Sequence, residues 1–250
     1  MIETSESGGI RTLRLAHGKA SALDLELVTA LDRAVAQAVA DKVHAIVLTG
    51  SGHIFCAGVD LFRVADGGAD YVNRYLPAFT KMVFTLFTAD LPVIVAANGH
   101  AIAGGAVLVA AGDYRLMAAG DGRFGYTELR VGVPFPPGAL EVIRFATPRG
   151  VEQMLYGAAT YPPQEMLARG ALDEVVEAPR LIARATEVAE QIAAIPASAF
   201  AATKHRLRGP VLERMHAAER ASAGAVTAAW ASPGTIAGIR AYLDRTVRKR

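Results

Sequence analysis

The chain has 250 residues, 52% of them hydrophobic and 20% charged, with a formal net charge of +2. That balance excludes a disordered chain and leaves no electrostatic ground for nucleic-acid binding. A single cysteine excludes an intrachain disulfide framework and suits a reducing cytosol.

Residues 1–6 lack the basic and apolar regions of a signal peptide. The longest apolar run, 101–111, is too short and glycine-rich to span a bilayer, so a cytoplasmic protein without a membrane partner is expected. Residues 10–16 alternate apolar and polar positions, as a half-buried strand does. Leu23, Leu27, Leu31, Val35 and Ala38 then recur at helical spacing and predict an amphipathic helix. The runs 43–49 and 93–97 are continuously apolar and bounded by glycine, the pattern of strands buried on both faces. Between them, Asp66-Gly67-Gly68-Ala69-Asp70 reads as a mobile loop. Residues 71–89 predict a helix with Leu76, Phe79, Val83, Leu86 and Phe87 turned inward. Strand–glycine–helix junctions recur at Leu48-Thr49-Gly50, Ala97-Asn98-Gly99 and Ala118-Ala119-Gly120, too unevenly for a solenoid repeat. From residue 179 onward helices are predicted over 180–194, 197–208, 211–230 and 233–247. They are broken at Pro196, Gly209-Pro210 and Ser232-Pro233-Gly234. The basic end, Arg245 with Arg248-Lys249-Arg250, reads as a solvated tail.

Chemistry concentrates in three segments. Phe55-Cys56-Ala57-Gly58-Val59-Asp60 follows the first buried strand, and Asn98-Gly99-His100-Ala101-Ile102-Ala103-Gly104-Gly105 follows the second. Each places small residues where a strand ends and a helix begins, so backbone N–H groups can face a ligand unobstructed. Two such groups on one oxygen would make an oxyanion hole. Glu128, in Phe124-Gly125-Tyr126-Thr127-Glu128, supplies a proton carrier whose apolar neighbours Phe124, Tyr126, Leu129 and Val131 would raise its pKa. Cys56 reads as a packing residue, and His53 and His100 as loop or packing histidines. No His, Asp or Glu cluster has metal-ligand spacing, so no metal is expected. Asp60 reads as the cap of a helix starting at Leu61, and Asp113 as a turn residue.

In this order and spacing the segments resemble the enoyl-CoA hydratase/isomerase (crotonase) superfamily. Phe55 to Leu61 fits a block F-x-A-G-x-D-[LI]. Asn98 to Gly105 fits N-G-x-A-x-G-G-G with Ala103 for the first glycine of the triplet, and Lys19-Ala20-Ser21-Ala22-Leu23 fits K-x-N-A-L with Ser21 for Asn. The resemblance implies an α/β fold: a crotonase-like spiral of ββα units over 1–192, and a C-terminal helical segment, 193–250, that packs against neighbouring subunits in a homotrimer or dimer of trimers. It implies an acyl-CoA thioester as substrate, no cofactor beyond that CoA, and oxyanion-hole amides on Val59 and Gly104. It gives Glu128 as the catalytic residue and Lys19, Ala20, Ala57, Asp60, Leu61 and Arg63 as substrate-binding positions. Lys19, Arg63, Lys204 and Arg208 are the candidates for the CoA phosphates.

Many hydratases of that superfamily carry two glutamates, one of them three residues after the oxyanion glycine. Here that position is Val107. One base suffices to move a double bond from C3=C4 to C2=C3, whereas hydration must also activate water. The segment Val133-Pro134-Phe135-Pro136-Pro137-Gly138 also departs from the glycine-rich pattern of many hydratases. An enoyl-CoA isomerase with one glutamate base is therefore expected. A single-glutamate enoyl-CoA hydratase and a non-catalytic acyl-CoA-binding protein are the alternatives.

Overall fold

Two strands open the chain, β1 (Ile2–Ser7) and β2 (Ile10–Leu15), paired antiparallel across Gly8-Gly9. Sequence patterning misses β1, because only Ile2 on it is apolar and nearly all of it is exposed. Helix α1 (Leu25–Ala40) follows, buried along Leu27, Leu31, Val35 and Ala38 as the spacing predicts. Its first turn is capped by Asp24, whose carboxylate accepts from the Leu27 N–H at 2.7 Å. Three β-β-α units come next. They are β3 (Ala45–Gly50), β4 (Ile54–Cys56) and α2 (Leu61–Thr88); β5 (Val93–Ala97), β6 (His100–Ile102) and α3 (Gly104–Ala111); and β7 (Tyr114–Ala118), β8 (Phe124–Gly125) and α4 (Pro137–Ala146). Short helices α5 (Val151–Gly157) and α6 (Pro163–Ala168), strand β9 (Glu174–Val176), and helices α7 (Leu181–Ala193), α8 (Ala197–Ala231) and α9 (Pro233–Thr246) complete the computed structural model, which describes residues 1–246. Val247 and the basic tail Arg248-Lys249-Arg250 lie outside the described residues. Among those residues no helix is long and apolar enough to cross a membrane.

The first strand of each unit joins a six-stranded sheet of order β1-β2-β3-β5-β7-β9, and the second joins a three-stranded sheet of order β4-β6-β8. Both sheets therefore advance one strand per unit, which is the spiral. Alternation along the strands sorts the cores. Ala45, Val47, Ile94, Ala96, Leu116 and Ala118 meet Leu181, Ala185, Val188 and Ala189 of α7 on one face. Ile46, Leu48, Val93 and Val95 point into the main core with α1, α2 and α3 on the other. Helices α8 and α9 add Val211, Met215, Trp230, Ile236, Ile239 and Leu243 to that main core.

Three expectations are corrected. The segment 66–70 is helical and belongs to α2. Its acidic residues are the exposed face of the helix, and Gly68, at φ +56, absorbs a kink there. Arg240 of α9 reaches across to donate to the Ala65 carbonyl at 2.7 Å, one turn before the kink. Gly209-Pro210 does not break the C-terminal helix, since α8 runs through it. Pro210 is exposed, so water can serve the carbonyl its missing N–H leaves free, while Lys204, Arg208, Val211 and Met215 form one buried face. Burying Val211 and Met215 at about 1.5–3 kcal/mol each outweighs a proline penalty of about 3 kcal/mol.

The third correction concerns charge. Lys204 and Arg208 are not available to CoA phosphates. Helical spacing puts both over Asp113, with Lys204 Nζ at 2.6 Å and an Arg208 guanidinium nitrogen at 2.9 Å from its carboxylate oxygens. Arg208 also donates to the carbonyls of Phe87, Ala111 and Gly112. Asp113 itself accepts from the Val93 N–H at 2.8 Å. It is thus a buried counter-charge that ties α8 to the start of β5 as well as a turn residue.

Candidate active site

The three strands of the small sheet are parallel, so their C-terminal ends lie on one side. Chain leaving β4 passes Ala57-Gly58-Val59, chain leaving β6 enters Gly104 through Ala103, and chain leaving β8 reaches Glu128 on a short 3₁₀ turn, Glu128–Val131. Ligand sites form where parallel strands end, because loops and helix starts offer unpaired backbone groups there. Val59, Gly104 and Glu128 line one cavity. Tyr75, Leu76 and Phe79 of α2, Pro136 before α4 and Trp230 at the end of α8 complete its wall.

Local geometry explains why the amides are free. Leu23 N–H donates to the Gly58 carbonyl at 2.8 Å and Asp60 N–H to the Leu23 carbonyl at 3.0 Å. That bracket holds Val59 while leaving its own N–H without a backbone partner among the described residues. Gly58 sits at φ +83, and a Cβ on it would lie 3.1 Å from Gly104 N, so the two loops touch only because it is glycine. Gly104 opens α3, whose first helical bond runs from Val107 N–H to the Ala103 carbonyl, so the Gly104 amide is one of the helix's unpaired donors. A Cβ on Gly104 would come within 2.9 Å of Leu23 Cδ1 and 3.4 Å of Phe79 Cε2. The position thus guards packing as well as approach, and a valine there would disturb the core.

Ala103, which replaces a glycine of the family pattern, carries a visible strain. It sits at φ +50 and ψ −120, pinned by its N–H on the Gly125 carbonyl at 2.7 Å. A side chain there is disfavoured by about 1–3 kcal/mol, against about 0.4–1 kcal/mol of extra chain entropy for glycine. Ala103→Gly should therefore raise the unfolding free energy by about 1 kcal/mol in urea titration; a less stable variant would contradict the strain.

Glu128 is 6% exposed, and its Oε2 has no hydrogen-bond partner among the described residues. Burial pushes its carboxyl up to about 8, although the backbone N–H groups of Glu128 and Thr127 pull the other way. The desolvating wall differs from the expected neighbours. Phe124 and Tyr126 are buried nearby, packed edge to face, but Leu129 is 42% exposed. Tyr75, Phe79, Pro136 and Trp230 come from elements distant in sequence. The one trace of them in the sequence is the aromatic spacing Tyr71, Tyr75, Phe79 on one helix face. Cys56 is fully buried and its thiol is pushed up to about 12, so it stays protonated and inert.

The remaining positions are spread along one edge. Ala57 N–H donates to the Ala20 carbonyl at 3.0 Å, which joins Ala20 and Ala57 beside the Val59 loop. Asp60 caps α2, accepting from Phe62 and Arg63 N–H groups at 3.0 and 3.1 Å, and Leu61 begins that helix half-buried. Lys19 is exposed on the loop before α1. Arg63 is exposed, ion-paired with Glu26 and stacked over the Tyr71 ring at 5.7 Å. His100 accepts from the Arg123 N–H at 3.1 Å, a packing role.

Against this geometry the comparisons are specific. The family model for enoyl-CoA hydratase/isomerase matches residues 5–248. The chain belongs to the enoyl-CoA hydratase/isomerase family. It is 30% identical over 210 residues to a carnitinyl-CoA dehydratase of Salmonella typhimurium, across 83% of this chain and 80% of that protein. Among solved structures it resembles an enoyl-CoA hydratase from Mycobacterium ulcerans, with 29% identity and a TM-score of 0.81 over 96% of this chain and 98% of that one. It superposes on human mitochondrial delta3-delta2-enoyl-CoA isomerase with a TM-score of 0.94 over 100% of this chain and 99% of that one, at 23% identity, which speaks for the fold alone. The spiral described above is thus the crotonase fold. Members of the enoyl-CoA hydratase/isomerase family act on acyl-CoA thioesters, and this chain is an enzyme of that family.

Proposed function

We propose that this protein isomerises 3-enoyl-CoA thioesters to 2-enoyl-CoA. One observation carries the reading: among the described residues Glu128 is the one carboxylate lining the cavity, and Val107, where a second glutamate would stand, is buried in an entirely apolar α3. The thioester oxygen accepts from the amides of Val59 and Gly104. Glu128 removes a proton from C2, the C3=C4 electrons move to C4 as C2=C3 forms, and the same carboxyl returns the proton at C4. Each amide is worth about 3 kcal/mol of transition-state stabilisation. Lys19, Ala20, Ala57, Asp60, Leu61 and Arg63 line the approach of the CoA moiety. The reaction needs no cofactor beyond that CoA.

The cavity holds about 20 Å³, room for one oxygen-sized group, so its wall must yield to admit C2 to C4. A neighbouring cavity of about 450 Å³ shares Leu76 and Pro136 with it. Those two residues form the partition through which an acyl chain would extend. The helical segment from residue 193 is assigned to subunit contacts on its exposed faces, in a homotrimer or a pair of them.

The likeness to a carnitinyl-CoA dehydratase favours a second reading, hydration with one glutamate. Side-by-side assay of 3-enoyl-CoA and 2-enoyl-CoA separates the two. Isomerisation should be the faster reaction; a hydration rate well above it would reverse the order. Incubation in D₂O tests for a silent binder, since only an enzyme that makes the enolate will leave deuterium at the α-carbon.

A further inference from the structure

Tyr75 is one of the largest fully buried side chains in the protein, and it lines the same cavity as Glu128, Val59 and Gly104. Its ring is fixed on both sides, stacked on Tyr71 at 5.8 Å and on Phe79 at 5.9 Å between centroids. The other tyrosines of this interior have partners for their hydroxyls. Tyr71 accepts from the Leu25 N–H at 2.9 Å, and Tyr126 meets the Thr147 hydroxyl at 3.3 Å. Among the described residues Tyr75 makes no such bond. A buried hydroxyl left unpaired is unfavourable, and buried tyrosines normally find a partner. In that cavity Glu128 Oε2 is buried without a hydrogen-bond partner among the described residues, and the Tyr75 phenol makes no hydrogen bond to the protein there.

We propose that Tyr75 is a third donor of the oxyanion site, hydrogen-bonded to the thioester oxygen as it becomes an enolate. The proposal rests on the enolate reading above. The cavity has room for one oxygen-sized group, and Val59, Gly104 and Tyr75 are all part of its wall. A carbonyl oxygen has two lone pairs, which the two amides occupy. An enolate oxygen has a third, and it is there that a third donor acts. The bond therefore strengthens as charge develops and contributes little to ground-state binding. Burial also raises the Tyr75 pKa well above its ordinary value, so the phenol keeps the proton it must donate.

Tyr75→Phe keeps the stacked ring and removes the hydroxyl alone. Its kcat should fall about 10- to 100-fold while KM stays within about twofold. Its melting temperature should equal or exceed that of the wild type, because no bond is lost in the free protein. A second arm reads the same group without turnover: binding of acetoacetyl-CoA, a 3-ketoacyl thioester whose enolate absorbs in the near ultraviolet. Wild type should raise the bound enolate fraction, and Tyr75→Phe should lower it at equal saturation. Unchanged kcat and enolate fraction, a rise in KM alone, or a lower melting temperature would each overturn the assignment. If wild type fails to isomerise any 3-enoyl-CoA yet shows the Tyr75-dependent enolate, the isomerase reading falls and the third donor stands. If it isomerises and Tyr75→Phe does so equally well, the reverse holds.

Discussion

Turnover of 3-enoyl-CoA by Glu128→Gln is expected to fall by a factor of about 10² to 10⁴, with acyl-CoA affinity nearly intact. The amide keeps the shape of the carboxyl and cannot carry a proton between C2 and C4. Wild-type turnover should rise with pH and level off above about 8, because burial holds the Glu128 carboxyl protonated up to there and only the carboxylate is a base. The same shift sets a stability trend of opposite sense. In the unfolded chain the carboxyl ionises near 4.5, in the folded protein near 8, so the folded state binds more protons between those values. Stability then falls as pH rises through that window. Glu128→Gln removes the slope. It should be more stable than wild type by about 3–5 kcal/mol at pH 9 and nearly equal to it at pH 4, read by urea unfolding at each pH. Unchanged turnover would remove Glu128 from the chemistry, and an alkaline stability below wild type would show that its carboxylate is not held against a desolvation cost.

Asp113→Ala should lower the unfolding free energy by about 3–5 kcal/mol, the largest stability loss expected of any single polar side chain here. The change strands two buried cations, Lys204 at 4% and Arg208 at 7% exposure. Lys204, already depressed to about 8 by burial, escapes by losing its proton. Arg208 cannot, and keeps the carbonyls of Phe87, Ala111 and Gly112 and the faces of the Phe87 and Phe145 rings, none of them a counter-charge. Adding Lys204→Met to Asp113→Ala should recover part of the loss, since a buried charge is replaced by an apolar side chain of similar length. Added salt should recover little, because the pair is screened from solvent ions. A loss below 1 kcal/mol would mean that water reaches the cluster.

How much of this was legible in the sequence follows from range. Val59, Gly104 and Glu128 sit within a few residues of strand ends, and the small-residue punctuation of those ends marks them. Helix α1 and strands β3 and β5 were legible for the same reason: their burial is written locally, as helical spacing in α1 and as unbroken apolar runs in the strands. The wall of the cavity was not. Tyr75, Pro136 and Trp230 are brought together by packing between α2, α4 and α8, and nothing local to any of them names the others. The two helix errors have a common cause. Glycine and proline report what the backbone resists, while the buried faces of α2 and α8 report what packing repays. Lys204 and Arg208 misled in the opposite way, because a lysine and an arginine four residues apart look alike on a solvated face and over a buried aspartate.

Trp230 has a consequence for the order in which the protein comes into being. Its indole N–H donates to the Pro134 carbonyl at 2.8 Å, which seats the ring on the cavity from the far end of α8. A chain growing from its N-terminus presents both amides and Glu128 long before residue 230 is made. Until α8 arrives, the cavity around that glutamate lacks one of its walls. The raised pKa of Glu128 thus draws on a residue synthesised well after the glutamate itself.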